Sequence, residues 1–184
     1  MKRYKSSNVK KTANRWPLKI GLITLILAAA FTVISEATST VSGLTVTVIL
    51  LVLLVVISII FDGIGVSVTS CDTAQLSTVG KKHKKTALWL VKNAEKVNNI
   101  CADVIGDICG IVSGACSMAI VLKITQETDA SRLDFWLTIT VSSVVAAATV
   151  GGKAYFKRLA VKNAREMVVF TAKILTALGF KRQA

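Results

Sequence analysis

Hydrophobic positions fall into four long runs with little or no charge, and the stretches between them hold most of the charge. The runs are Pro17 to Ile34, Gly43 to Gly65, Asn99 to Leu122 and Phe135 to Gly152. Each has about 18–24 residues, enough for a helix to cross a hydrocarbon core of ~30 Å. The second and fourth are rich in Val, Ile and Thr, which in water favour strands. A strand in lipid needs a closed barrel and an alternating pattern, and these runs do not alternate. The predicted fold is therefore all-α: a polytopic membrane domain with four transmembrane helices. Two amphipathic stretches predict helices beside the spans. One follows Lys81–Lys85 in the loop of residues 69–98, with Trp89 as an interface anchor. The other is the tail of residues 155–180, where Phe156, Leu159, Met167, Phe170, Ile174, Leu175 and Leu178 stand among basic residues, as in an interfacial helix.

Composition excludes the competing classes. Of 184 residues, 53% are apolar and only 18% charged, with 11 Gly and a single Pro, and the mean hydropathy is +0.62. A soluble domain carries about 25% charged residues. Here the charges are fewer and blocked together, which also excludes a disordered chain. Cys101, Cys109 and Cys116 lie along one apolar run, so with Cys71 they read as reduced packing residues and not as a disulfide framework. An enzyme is not expected, because the chain has no Ser/His/Asp set, HExxH, P-loop or dinucleotide fingerprint. The single histidine, His83, reads as a surface residue in its lysine cluster.

The net charge of +13 sets the orientation. Every Lys and Arg except Lys123 and Arg132 lies in the N-terminal stretch of residues 2–19, in the middle loop at 81–96, or from Lys153 onward. Both termini and the middle loop are therefore expected in the cytoplasm of a plasma-membrane protein. Residues 1–16 read as a basic cytoplasmic tail, and 17–34 as a first span. A second reading takes residues 1–37 as a cleaved signal peptide, since Ser35-Glu36-Ala37 weakly resembles a cleavage site. Nucleic acid is not an expected partner, because the basic residues flank membrane spans and lack interleaved aromatics.

Acids at membrane depth are costly and point to function or pairing. Asp103 and Asp107, four residues apart, share a helical face. At 100° per residue, Asn99, Gly106, Gly110, Gly114 and Ser117 fall on the same side, opposite Ile105, Ile108, Val112, Ala115 and Ala119. The glycine repeat is a seam that lets another helix approach. Asp62 is a third acid, and Lys153 a candidate basic partner. Two chemistries stay open for this polar face. One is a cation site of oxygen ligands, such as Mg²⁺ accepts; the other is an internal ion pair.

The end of the second run, IIFDGIGVSVTSCDTAQL, resembles the FFSGSETALTS-type signature of the CNNM/CorC transmembrane domain, a magnesium and cobalt efflux family, through Phe61, Gly63, Thr69 and Ser70. KKHKKTALWLVKNAEKVNNI resembles that family's juxtamembrane helix, and Gly106-Asp107 falls at its Gly-Asn pair. VGGKAYFKRLAVKNAREMV is similar to FGEIIPKTLALRNAERV, with Gly152, Lys157, Leu159, Ala160, Asn163 and Ala164 in register. The resemblance covers residues 43–180 and implies a homodimeric domain in divalent cation transport or homeostasis, with possible Mg²⁺ ligands at Asp62 and Asp107, joined by Asp103 from the polar face. At the family's Glu stands Lys153, at its Pro stands Phe156, and the Glu of its first signature falls at Gly65. These departures imply the alternative of a non-transporting scaffold or assembly subunit, in which an Asp–Lys ion pair replaces the metal. The family's CBS domains do not follow, so nucleotide regulation is not expected. Topology is directly checkable: reporter or cysteine labelling should place residues 123–134 outside, and finding the 81–85 lysine cluster outside would overturn the orientation.

Overall fold

The structure, a computed structural model, describes residues 16–41, 43–77, 80–128 and 133–179. The basic tail up to Arg15, Arg132, Lys181 and Arg182 lie outside the described residues. All the regular structure among the described residues is helical: α1 (Trp16–Val41), α2 (Leu44–Ser70), a 3₁₀ turn (Thr73–Leu76), α3 (Lys81–Lys92), α4 (Ala94–Asn98), a π-helical segment (Asn99–Ile105), α5 (Gly106–Thr128), α6 (Leu133–Lys162) and α7 (Ala164–Ala177). The all-α expectation holds. Four helical stretches are long and apolar enough to cross a membrane, which marks a membrane protein: Ile20–Thr38, Leu44–Ser70, Ala94–Gln126 and Phe135–Lys162. The third joins α4, the π segment and α5. Helix α6 runs ten residues past the expected end at Gly152, to Lys162. Nothing there breaks a helix, and long basic side chains can reach polar surroundings while their backbone stays helical. Residues 155–162 therefore belong to α6, and the separate C-terminal helix begins only at Ala164.

α2 packs against every other helix. Its buried positions include Thr47, Leu51, Leu54, Ser58, Asp62 and Gly65, steps of three and four that form one helical stripe. Most of the outer surface is apolar, as lipid requires: Ile49, Val52, Leu53, Val56 and Ile60 of α2 are exposed. Lipid tails are as apolar as Leu, so the bundle is held by close packing and internal hydrogen bonds more than by water exclusion. Two packed clusters result. One joins Leu51 and Leu54 to Val104, Ile108, Cys109, Val112, Cys116 and Ile120. The other joins Val68 and Cys71 to Leu76, Ala87, Leu90, Ala164, Val168 and Ala172, where α3 and α7 cover the end of α2. Trp89 packs against this second cluster. All four cysteines are free, and Cys71, Cys109 and Cys116 are buried. Burial pushes the Cys71 thiol pKa up, with Asp72 adding to the rise and Arg165 opposing it, which suits a packing residue and not a nucleophile.

The close helix contacts use glycines other than the expected seam. α2 and α6 run side by side in one direction: a side chain on Gly63 would overlap the Phe156 ring, and one on Gly152 would overlap Ile59. Each helix thus offers a gap to the other's large residue. At Gly65 a Cβ would lie 2.7 Å from Asn98 Oδ1 and 3.3 Å from the Asn98 Cα. A Cβ added at Gly110 or Gly114 would meet nothing within 4 Å, and the two glycines line a cleft of about 210 Å³ with Ser113, Ser117, Ser142 and Thr149 between α5 and α6.

A short repeat makes both bends between membrane and juxtamembrane helices. Val-Lys-Asn-Ala occurs at Val91–Ala94 and again at Val161–Ala164. Asn93 and Asn163 adopt nearly the same conformation (φ −111°, ψ 29° and φ −112°, ψ 31°). Each amide still donates back into the preceding helix, to Trp89 O at 3.1 Å and to Leu159 O at 2.9 Å, while each carbonyl accepts from the next helix. The order is mirrored: α3 precedes its span, α7 follows its own, and the two juxtamembrane helices pack together.

Gly65→Ala should lower the melting temperature in detergent, because overpacking against a helix backbone costs about 1–3 kcal/mol. Gly110→Ala should leave it unchanged. Equal effects of the two substitutions would contradict this packing.

Candidate functional site

The candidate site lies between the two packed clusters. Asp62 is on the buried stripe of α2 and is only 4% exposed. Its Oδ2 lies 2.9 Å from Lys157 Nζ, an ion pair between α2 and α6. The same oxygen makes no well-directed hydrogen bond. The contact is an ion pair close in distance but poor in angle, and the electrostatic attraction does not need the alignment that a hydrogen bond does. The expected partner, Lys153, is one turn away. A helical side chain leans toward the N-terminus of its own helix, so the stem of Lys157 reaches back a turn to meet Asp62.

Lys153 is half-buried and reaches α5 instead. Its Nζ lies 3.6 Å from the point where a Gly106 side chain would start, and the Cys101 carbonyl oxygen is equally far from that point. Ser58 Oγ donates to the Gly106 carbonyl at 3.0 Å, linking α2 to α5 where the π segment ends. The Gly106 amide donates to Cys101 O, the five-residue step of a π turn. Such turns are rare and often mark functional positions. Here the π segment faces Gly65, where α2 comes closest to Asn98 and Ala102.

The sequence places Asp62, Asp103 and Asp107 together as metal ligands; the structure does not bring them together. Asp103 and Asp107 are exposed. Among the described residues no group of three His, Cys, Asp or Glu is placed to hold a metal ion. Of the expected polar side, Asp103, Asp107 and Gly114 are exposed, whereas Gly106 and Ser117 are buried. The buried side of α5 carries Ile108, Cys109, Val112, Ser113, Cys116 and Ser117, of which the expected apolar face contained only Ile108 and Val112 and the expected polar face only Ser117. The physical reason is the partner: α2 offers Leu51 and Leu54 to this face, and nothing that would compensate two buried carboxylates, whose desolvation costs several kcal/mol each. Inside the π segment the 100° step also fails, because bonds to the fifth residue turn the chain less per residue.

The arrangement is one buried carboxylate, Asp62, in contact with the Lys157 ammonium, and a second ammonium, Lys153, grouped around Gly106 with the Ser58 hydroxyl and the Cys101 carbonyl. Lys157 was legible as an in-register residue of the family resemblance, but its role as the counter-ion needed the helix register. At the other end of the bundle, Lys123 donates to Thr47 Oγ1 at 2.9 Å and ties α5 to the start of α2.

Lys157→Met should lower thermal stability by up to about 3 kcal/mol, the low end for breaking a buried pair, because Lys157 itself is 46% exposed. Lys153→Met should cost less, and Asp62→Asn in the Lys157→Met background should restore much of the loss. Thermal melts of the three variants check this; a silent Lys157→Met would remove the ion pair from the account. Compared with known proteins, the chain matches no family model, no curated protein and no solved structure.

Proposed function

We propose that this chain is a non-transporting multi-pass module of the plasma membrane, both termini cytoplasmic, in which an Asp–Lys pair stands where a cation would otherwise be needed. The observation that carries the reading is the Asp62–Lys157 contact at 2.9 Å, with the carboxylate buried. A second ammonium, that of Lys153, lies beside the same polar layer. The Lys157 ammonium in contact with the carboxylate opposes the entry of a divalent cation. The orientation is supported by the basic residues, all but Lys123 and Arg132 of which sit on the proposed cytoplasmic side.

The work of such a module is assembly. Asp103 and Asp107 are exposed on the bundle, and carboxylates facing lipid are expensive. A second copy or another subunit covering that face would remove the cost.

A second reading, divalent cation transport, draws on one observation. Asp62 Oδ2 has no directed hydrogen bond and Lys157 is 46% exposed, so the ammonium can swing away and free the carboxylate. Flux assays on protein-containing liposomes separate the readings. The proposal expects Mg²⁺, Mn²⁺ and Co²⁺ to cross no faster than in protein-free liposomes. It also expects cross-linking through Cys introduced at Asp103 to yield a higher-mass species. Flux abolished by Asp62→Ala would establish transport and overturn the proposal. In the double variant Lys153→Met, Lys157→Met, added Mg²⁺ should raise the melting temperature, because the bare carboxylate then needs a counter-ion.

A further inference from the structure

Helices α3 and α7 enclose a cavity of about 610 Å³, lined by Gly80, His83, Arg165, Glu166, Phe170 and Lys173 among others. Three of these side chains carry or can carry positive charge, against one acid. His83 is fixed: its Nδ1 lies 2.9 Å from Thr176 Oγ1, and that hydroxyl donates to Ala172 O. Arg165 is fixed by its Nε–H on Gln75 O at 3.0 Å. Helix α3 begins at Gly80, on the cavity wall, and its first turn carries no acid, so its N-terminal end adds positive potential.

Beyond Glu166 and Phe170 lies a second cavity of about 530 Å³, apolar like the first but without its cluster of basic side chains. Ile60, Ile64, Phe156, Leu159 and Met167 line it, so it extends from α7 along the inner part of α2 and α6. Phe170 and Glu166 belong to both cavities. Phe170, Ile174 and Leu178, spaced four apart, are exposed along α7. A pocket that carries basic side chains and meets an apolar trench beside membrane-spanning helices has the two-part chemistry of one ligand class, a phospholipid with a net negative charge.

We propose that the cavity between α3 and α7 holds the phosphate headgroup of an anionic phospholipid and that an acyl chain lies in the trench beyond Phe170. The source is the bilayer and not free phosphate, because the apolar trench serves no purpose for a soluble anion. Lys173 attracts the headgroup, Phe170 guides the chain, and Glu166 weakens the binding.

The test uses the full chain, stripped of lipid in neutral detergent and offered phosphatidylglycerol or phosphatidylcholine, with retained lipid read by native mass spectrometry. Lys173, Phe170 and Glu166 are all exposed, so substitution leaves the packed clusters intact. The wild type should retain phosphatidylglycerol over phosphatidylcholine. Lys173→Ala should lower phosphatidylglycerol retention about fivefold, the change expected for one basic residue at a membrane surface. Glu166→Gln should raise it, and Phe170→Ser should lower it. Equal retention of the two lipids by the wild type, or a selectivity unchanged by Lys173→Ala and Glu166→Gln, would overturn the proposal. Displacement by inorganic phosphate together with a silent Phe170→Ser would assign the site to a soluble anion, and the lipid would fall.

Discussion

A carboxylate on the central helix must be satisfied inside a bundle that has lipid on its outside. Asp62 lies on the stripe of α2 that every neighbouring helix packs against, so it cannot turn to solvent without undoing the packing. The requirement is met from α6, whose Lys157 reaches it while remaining half-exposed. The parallel approach of α2 and α6 brings the two residues level, and that approach depends in turn on Gly63 and Gly152, where any side chain would collide with Phe156 or Ile59. Glycine gaps, helix register and ion pair form one arrangement.

Above and below this polar layer the chain solves two different problems. In the membrane cluster, Leu51 and Leu54 pack against Ile, Val and Cys side chains of the third span, with the Ser58 and Lys123 hydrogen bonds at its two ends. Hydroxyls there turn to nearby backbone, as Ser117 does to Ser113 O. In the second cluster, α3 and α7 bury one apolar side against the end of α2 and leave basic residues outside. Asn93 and Asn163 make this layer geometrically possible, because each turns the chain from a span to a surface helix while keeping backbone hydrogen bonds on both sides.

The exposed acids of the π segment and α5 and the paired acid of α2 show how charge is sorted in such a bundle. Asp62 has a cation within reach and is buried. Asp103 and Asp107 have none facing them from α2 and stay outside. A metal centre needs carboxylates to converge, and here the helix rotations separate them. The same sorting places Arg165, His83 and Lys173 around a cavity at the far side of the bundle's polar layer, next to apolar surface.

The sequence by itself determined the class of this protein: four apolar runs, each long enough for a bilayer, and two amphipathic stretches beside them. Those properties are local, because length, hydropathy and charge blocks survive any rearrangement of the helices. It also grouped Asp103, Asp107 and Gly114 on one side of a helix, which the helical period dictates. What only the tertiary structure decided is which way that side points, because rotation about a helix axis depends on what the neighbouring helices offer. The partner of Asp62 was of the same kind: Lys153 and Lys157 differ by one turn, and only the register of α2 against α6 and the backward lean of the lysine stem select the second. The π segment and the close approach at Gly65 were also beyond reach, since both arise where two helices touch and neither leaves a period in the sequence. The repeated Val-Lys-Asn-Ala was legible as letters, and its meaning as a bend came from the backbone angles at Asn93 and Asn163.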